Sequence, residues 1–213
     1  MPIVDILLFA ALAIFFAVRL LRVLGQHSEH TSARDPIDQA FFEAPEEHAQ
    51  VSEVSNLIKP AQIIINPQLR SQEALIHSHD PDFSLDEFMK NAAQAFCLIL
   101  KAFSAHDRET LQNLVDAPIF KIFNQAMTSR EQAGHTLEND VVGIKIVEAL
   151  DLSLKDLTAQ IQVRFVSEQI HTVRDAHGDV IEGVANMVDE IKDVWWFERN
   201  FDNQSPIWKL VRT

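Results

Sequence analysis

The sequence predicts an α+β protein in which an N-terminal transmembrane helix precedes helices packed on a curved antiparallel sheet. Three observations carry the prediction. An apolar run opens the chain, apolar residues recur with helical spacing from Ser84 to Gly134, and beyond Gly134 the spacing switches to strand alternation.

The opening run is "DILLFAALAIFFAVRLLRVLG". No charged residue falls between Ile6 and Val18, and only Asp5, Arg19 and Arg22 interrupt the apolar character of residues 3–24. As a helix this stretch reaches about 30 Å, one hydrocarbon core. It lacks the basic start and small-residue cleavage site of a signal peptide, so it is expected to stay as an anchor. Arg19 and Arg22 flank its C-terminal end and set the expected topology. The N-terminus is expected outside, and the body in the cytoplasm.

Residues 25–83 are expected to be an acidic, largely disordered linker. From Gln26 to Phe83 three basic side chains (Arg34, Lys59, Arg70) stand against ten acidic ones, with prolines scattered between them. A chain of that length spans roughly 40 Å as a flexible coil. The patch "LIKPAQIII" within it is too short to cross a membrane. A strand, a surface-lying segment and a docking site all remain open for it.

The folded domain is expected over residues 84–213. Ser84 and Glu87 have capping-box spacing. Leu85, Phe88, Met89, Ala92, Ala93, Phe96, Ile99, Leu100 and Phe103 then form one apolar helical face. Asp107 is placed to cap a short helix carrying Leu111, Leu114 and Val115. A third helix from Ala117 carries Ile119, Phe120, Phe123 and Met127 and stops at Gly134. "VVGIKIVEAL" and "TAQIQVRFVSEQI" read as strands, "RDAHGD" as a turn with Gly178 at positive φ, and residues 187–201 as a further strand before "PIWKLVRT".

Composition narrows the function. A net charge of −13 argues against nucleic acid, whose phosphates need clustered Lys and Arg. A single cysteine, Cys97, excludes an internal disulfide framework. Five glycines leave little room for a phosphate-binding loop, and no cofactor is expected.

"FMKNAAQAFCLILKAFSAHDRETLQNLV", "SREQAG", "AQIQVRFVSEQI", "RDAHGDVIEG", "DVWWFERN" and "PIWKLV" occur in order across residues 84–213. The region resembles the C-terminal domain of the tether of the mitochondrial inner-membrane translocase motor, especially its bacterial membrane-anchored relatives. The resemblance implies a cone-shaped fold, nuclear-transport-factor-two-like or cystatin-like, with an adaptor role and no enzymatic activity. The implied partner is a chaperone, a translocating chain or a membrane-complex subunit. Five residues depart from the pattern. Relatives usually carry glycine where Asn91 and His106 stand, a small residue where Trp196 stands, and an Asp-Pro-Asn-Trp type of motif where this chain has Ser205, Pro206, Ile207 and Trp208.

Strand parity assigns the candidate contacts. Trp195 shares a face with Ile191 and Phe197, toward the helices, whereas Trp196 lies with Val188, Val194, Glu190, Lys192 and Glu198 on the other. Trp196, Val188 and Val194 thus form a candidate surface for a protein partner or a second copy; the alternative is a single aromatic half-covered by its neighbours. In an implied cone, Phe96, Ile161, Val163, Phe165, Asp193, Trp195 and Trp208 would line an apolar pocket. A carboxylate at Asp193 in such a cone would be a candidate general base, as in isomerases of this architecture. The chain has no tyrosine to supply their phenolic donor, so a structural Asp193, paired with a cross-strand Arg or with water, is expected. A pocket-binding isomerase-like module and a membrane-complex scaffold are the rival readings. His27 with His30, and His77 with His79, Asp80 and Asp82, have ligand types at close spacing but no rigid scaffold, and read as solvated linker. Cys97 reads as a buried small hydrophobe.

Overall fold

The computed structural model describes residues 61–203 and 205–213. The expected anchor, residues 3–24 with Arg19 and Arg22, and the expected linker up to Pro60, with His27 and His30, lie outside them. No helix among the described residues is long and apolar enough to cross a membrane.

The described chain runs β1 (Gln62–Ile65), α1 (Pro67–His77), α2 (Leu85–Ser104), α3 (Arg108–Leu114), α4 (Ala117–Ala133), β2 (Thr136–Lys155), β3 (Thr158–Arg174), β4 (Val180–Asn200) and β5 (Lys209–Arg212). The five strands form one sheet in sequence order, antiparallel except for the parallel β1–β2 pair. The result is an α+β fold with helices against a curved sheet. Bulges bend it, with register shifts in the β2–β3 pair between Val141 and Gly143, Ile144 and Ile146, and Ala149 and Asp151.

The fold begins upstream of Ser84, where linker was expected. "QIII", in the described end of the apolar patch, pairs with Ile146 to Ala149 of β2, so this part of the patch is a strand. Pro67, which read as a linker residue, starts α1: proline suits the first helical turn, whose N–H groups lack intrahelical acceptors. Asn66 Oδ1 caps that turn by accepting from Gln68 N at 2.9 Å. Leu69 and Ile76 then bury one face of α1. Arg70 makes a two-pronged pair with Asp86 at 2.6 and 2.9 Å, and Leu85 N donates to Glu73 Oε1 at 2.8 Å.

Helix α2 follows its predicted face, burying Leu85, Phe88, Met89, Ala92, Ala93, Phe96 and Ile99. Its cap makes half of the predicted box. Ser84 Oγ accepts from Glu87 N at 3.4 Å, while the Glu87 carboxylate takes Lys90 Nζ at 2.8 Å. Asp107 and Asp116 cap α3 and α4 by accepting from Thr110 N and Ile119 N. Gly134, at φ +68, ends α4 with its N–H on Glu131 O, as the sequence predicted. Gly178, at φ +89, closes the predicted turn by donating to Asp175 O at 3.0 Å.

Strand β4 starts at Val180 rather than near Met187. Pairing with β3 jumps from Ile170↔Val188 to Thr172↔Gly183, so residues 184–187 bulge out of the ladder. Gly183 and Asn186 both take positive φ there. The bulge breaks the alternation by which a strand is recognised in sequence.

Candidate functional site

The space over the inner sheet face is filled. Phe96 stacks on Phe165 with centroids 4.4 Å apart, and Trp195 meets Phe96 at 4.7 Å and Phe165 at 5.7 Å. Ile161 and Val163 are buried beside them. These five side chains were expected to line a pocket; they are the core itself, because Phe96 of α2 packs on Phe165 of β3 and Trp195 of β4 and fills the space over them. Asp193 is half-buried on the same face and accepts from Gln169 Nε2 at 3.3 Å, and the same amide reaches Ser167 Oγ at 2.8 Å. Ser167 and Gln169 are buried. Sequence reasoning missed both, although their odd parity with Phe165 was available to place them inward.

An open cleft of about 360 Å³ lies further along, where the N-terminal half of α2 meets the end of β4 and the segment entering β5. Of the expected lining residues only Trp208 belongs to it. Phe83, Phe88, Phe197 and Trp208 build its aromatic wall: Trp208 lies 4.9 Å from Phe88 and 5.7 Å from Phe83, and Phe88 lies edge-on to Phe197 at 5.9 Å. Ala92 and Ala95 leave the space open by being small, and Ile207, 46% exposed, forms one lip. Asp82, Glu87 and Asn91 supply polar rim groups.

Arg199 also borders the cleft, but its charge is engaged. Its Nη1 donates to Asp80 Oδ2 at 2.6 Å, and its guanidinium carbon sits 4.9 Å from the Phe201 ring centroid. His79 stacks on the same Phe201 at 5.4 Å, and His77 Nε2 lies 2.8 Å from Phe83 O. Of the superficial metal pattern, His77, His79 and Asp80 therefore belong to the folded domain and make these contacts, while His77, His79 and Asp82 stay exposed. The contacts tie the α1–α2 turn to the sheet and to the cleft wall. Among the described residues no group of three or more His, Cys, Asp or Glu is arranged to hold a metal ion.

On the outer face Trp196 is not a bare aromatic. The Arg212 guanidinium lies over its ring at 4.1 Å, and the indole is half-buried. Val194 is half-buried and Val188 is 47% exposed. Around them run charged contacts: Arg164 with Glu148, Gln160 Nε2 with Glu198 at 2.7 Å, and Lys145 with both Glu168 and Glu190. Burial pushes the Cys97 thiol up to about 12, which leaves it without nucleophilic character at neutral pH.

Residues 70–213 match the family model described as the Tim44-like domain. The chain belongs to the Tim44-like domain family. A Tim44-like relative, "Mitochondrial import inner membrane translocase subunit TIM44-1" of Arabidopsis thaliana, is 25% identical over 141 residues. That match takes in 63% of this chain and 30% of the relative, so the chain spans under a third of that protein's length. Two solved structures superpose loosely. The intermembrane space region of the chloroplast protein ARC6 has a TM-score of 0.40 and 14% identity, over 58% of this chain and 92% of that one. A putative dehydratase of the NTF2-like family from Streptomyces avermitilis has a TM-score of 0.33 and 13% identity, over 61% and 99%. Asn91, Pro206 and Ile207 all border the cleft.

Proposed function

We propose that this protein is a membrane-tethered adaptor that holds a polypeptide partner in protein transport or assembly at a bacterial inner membrane, without enzymatic activity. In this reading residues 3–24 anchor the chain, and the body works on the cytoplasmic side. The partner is a chaperone, a translocating chain or a membrane-complex subunit. The observation that carries the reading is the Tim44-like match over residues 70–213, which contains the whole aromatic cleft. A cleft walled by Phe83, Phe88, Phe197 and Trp208 suits an apolar segment, and Asp82 and Glu87 at its rim favour one flanked by basic residues. Trp196, Val188 and Val194 remain a second candidate contact, on the outer face.

The test is photocrosslinking in intact membranes from a photoreactive residue at Ile207, with and without ATP depletion. Adducts to a chaperone or translocase component that change with ATP support the adaptor. Adducts to one constant membrane subunit would replace it with a scaffold. A small molecule retained in the cleft and no protein adduct would replace it with a ligand-binding module.

A further inference from the structure

Strand β4 is covered on one side by β3, but on the other side β5 pairs with it only at Trp196, Phe197 and Glu198. Upstream, the regular strand gives out at Val188, beyond which residues 184–187 form the bulge and Asn186 takes a φ of +59. Among the described residues, the regular edge that no strand covers therefore runs from Val188 to Trp195, with Ile191 near its centre. Such an edge offers a row of backbone donors and acceptors to another strand.

We propose that this edge pairs antiparallel with the same edge of a second copy, about a two-fold axis at Ile191, joining two sheets into one. The side chains select this register independently of where the edge begins and ends. About Ile191, Val188 faces Val194 of the second copy and Glu190 faces Lys192 of the second copy, and both pairs occur twice. A shift of two positions in the pairing places either Glu190 opposite Glu190 or Lys192 opposite Lys192, and like charges directly opposed are unfavourable. Lys192 makes no ion pair among the described residues, while Lys145 is shared between Glu168 and Glu190. A second Lys192 supplies the cation that this acidic pair lacks. On the inner face Ile191 meets itself. The unfavourable rung sets Asp189 against Asp193 and also occurs twice. The bulge carries residues 184–187 out of line, which takes in the positions where the second copy would otherwise meet β5.

The register is tested by disulfide trapping in the full chain, purified in mild detergent, with Cys97, its sole cysteine, replaced by Ala. Val188→Cys chains mixed with Val194→Cys chains form a covalent dimer on oxidation. Either chain alone forms at least tenfold less, since like positions lie about 20 Å apart along the paired strands. Absence of the mixed disulfide, or equal trapping in the single-variant samples, overturns the pairing. Sedimentation reads the same interface without cysteines. Lys192→Glu raises the dimer dissociation constant at least tenfold, adding Glu190→Lys restores it, and Asp189→Asn lowers it. A native chain that stays monomeric up to about 100 µM, or a Lys192→Glu chain that associates as before, also overturns it.

Discussion

Arg199, near the end of β4, donates to Asp80, in the turn after α1, at 2.6 Å across a sequence separation of 119. Both side chains are mostly shielded from solvent, and Arg199 is further stacked on Phe201. The contact joins a segment that reads as linker to the strand that ends at the cleft. Arg199→Ala leaves Asp80 partly buried without this partner and is expected to lower stability by about 1–3 kcal/mol, measured by urea denaturation. Asp80→Asn is expected to lose less, because the amide oxygen still accepts.

Gly183 separates backbone need from mere smallness. Its φ is +80, and a Cβ placed on it would lie 2.1 Å from His171 O, whereas at Gly143 nothing lies within 4 Å. Gly183→Ala is therefore expected to destabilise by about 2 kcal/mol or more, and Gly143→Ala to change stability by less than about 0.5 kcal/mol. Paired thermal melts of the two variants check the contrast.

His106 sits at φ +59 between α2 and α3. A side chain in the left-handed region costs about 1–2 kcal/mol, and glycine returns roughly 0.5–1 kcal/mol of that through the freedom of its unfolded chain. His106→Gly is expected to raise stability by about 0.5 kcal/mol. The His106 imidazole lies 3.4 Å from Arg130 Nη2, and burial together with that neighbouring cation holds its pKa below the ordinary value, so its loss removes no buried ion pair at neutral pH. A fall in melting temperature would contradict this account.

The Cys97 thiol, buried under α2, is held protonated up to about 12, against an ordinary 9.0. The unfolded chain releases this proton first, so between those values it binds fewer protons than the folded chain, and stability falls as pH rises from about 9 toward 12. Alkylation at pH 8 is expected to be limited by opening of the fold, with a rate that follows denaturant concentration. Rapid labelling of the native chain would show the thiol to be accessible.

Wherever structure depends on neighbours in sequence, the sequence by itself determined it. The face of α2, the caps at Ser84 and Asp107, the stop at Gly134 and the inward parity of Trp195 all follow from spacing and backbone preference, which act over one or two turns. The family was legible for the same reason, since its motifs are contiguous. Contacts between distant segments were decided only by the tertiary structure. A four-residue strand at Gln62 has no recognisable period until β2 lies beside it, and Pro67 reads as linker until the helix it starts is seen to pack. The expected pocket residues turned out to be the core because α2 descends onto β3 and β4, and parity fixes a face without fixing what covers it. The cleft moved to Phe83, Phe88, Phe197 and Trp208, which come together only when the turn after α1, one end of α2 and the chain entering β5 meet at the same end of the sheet.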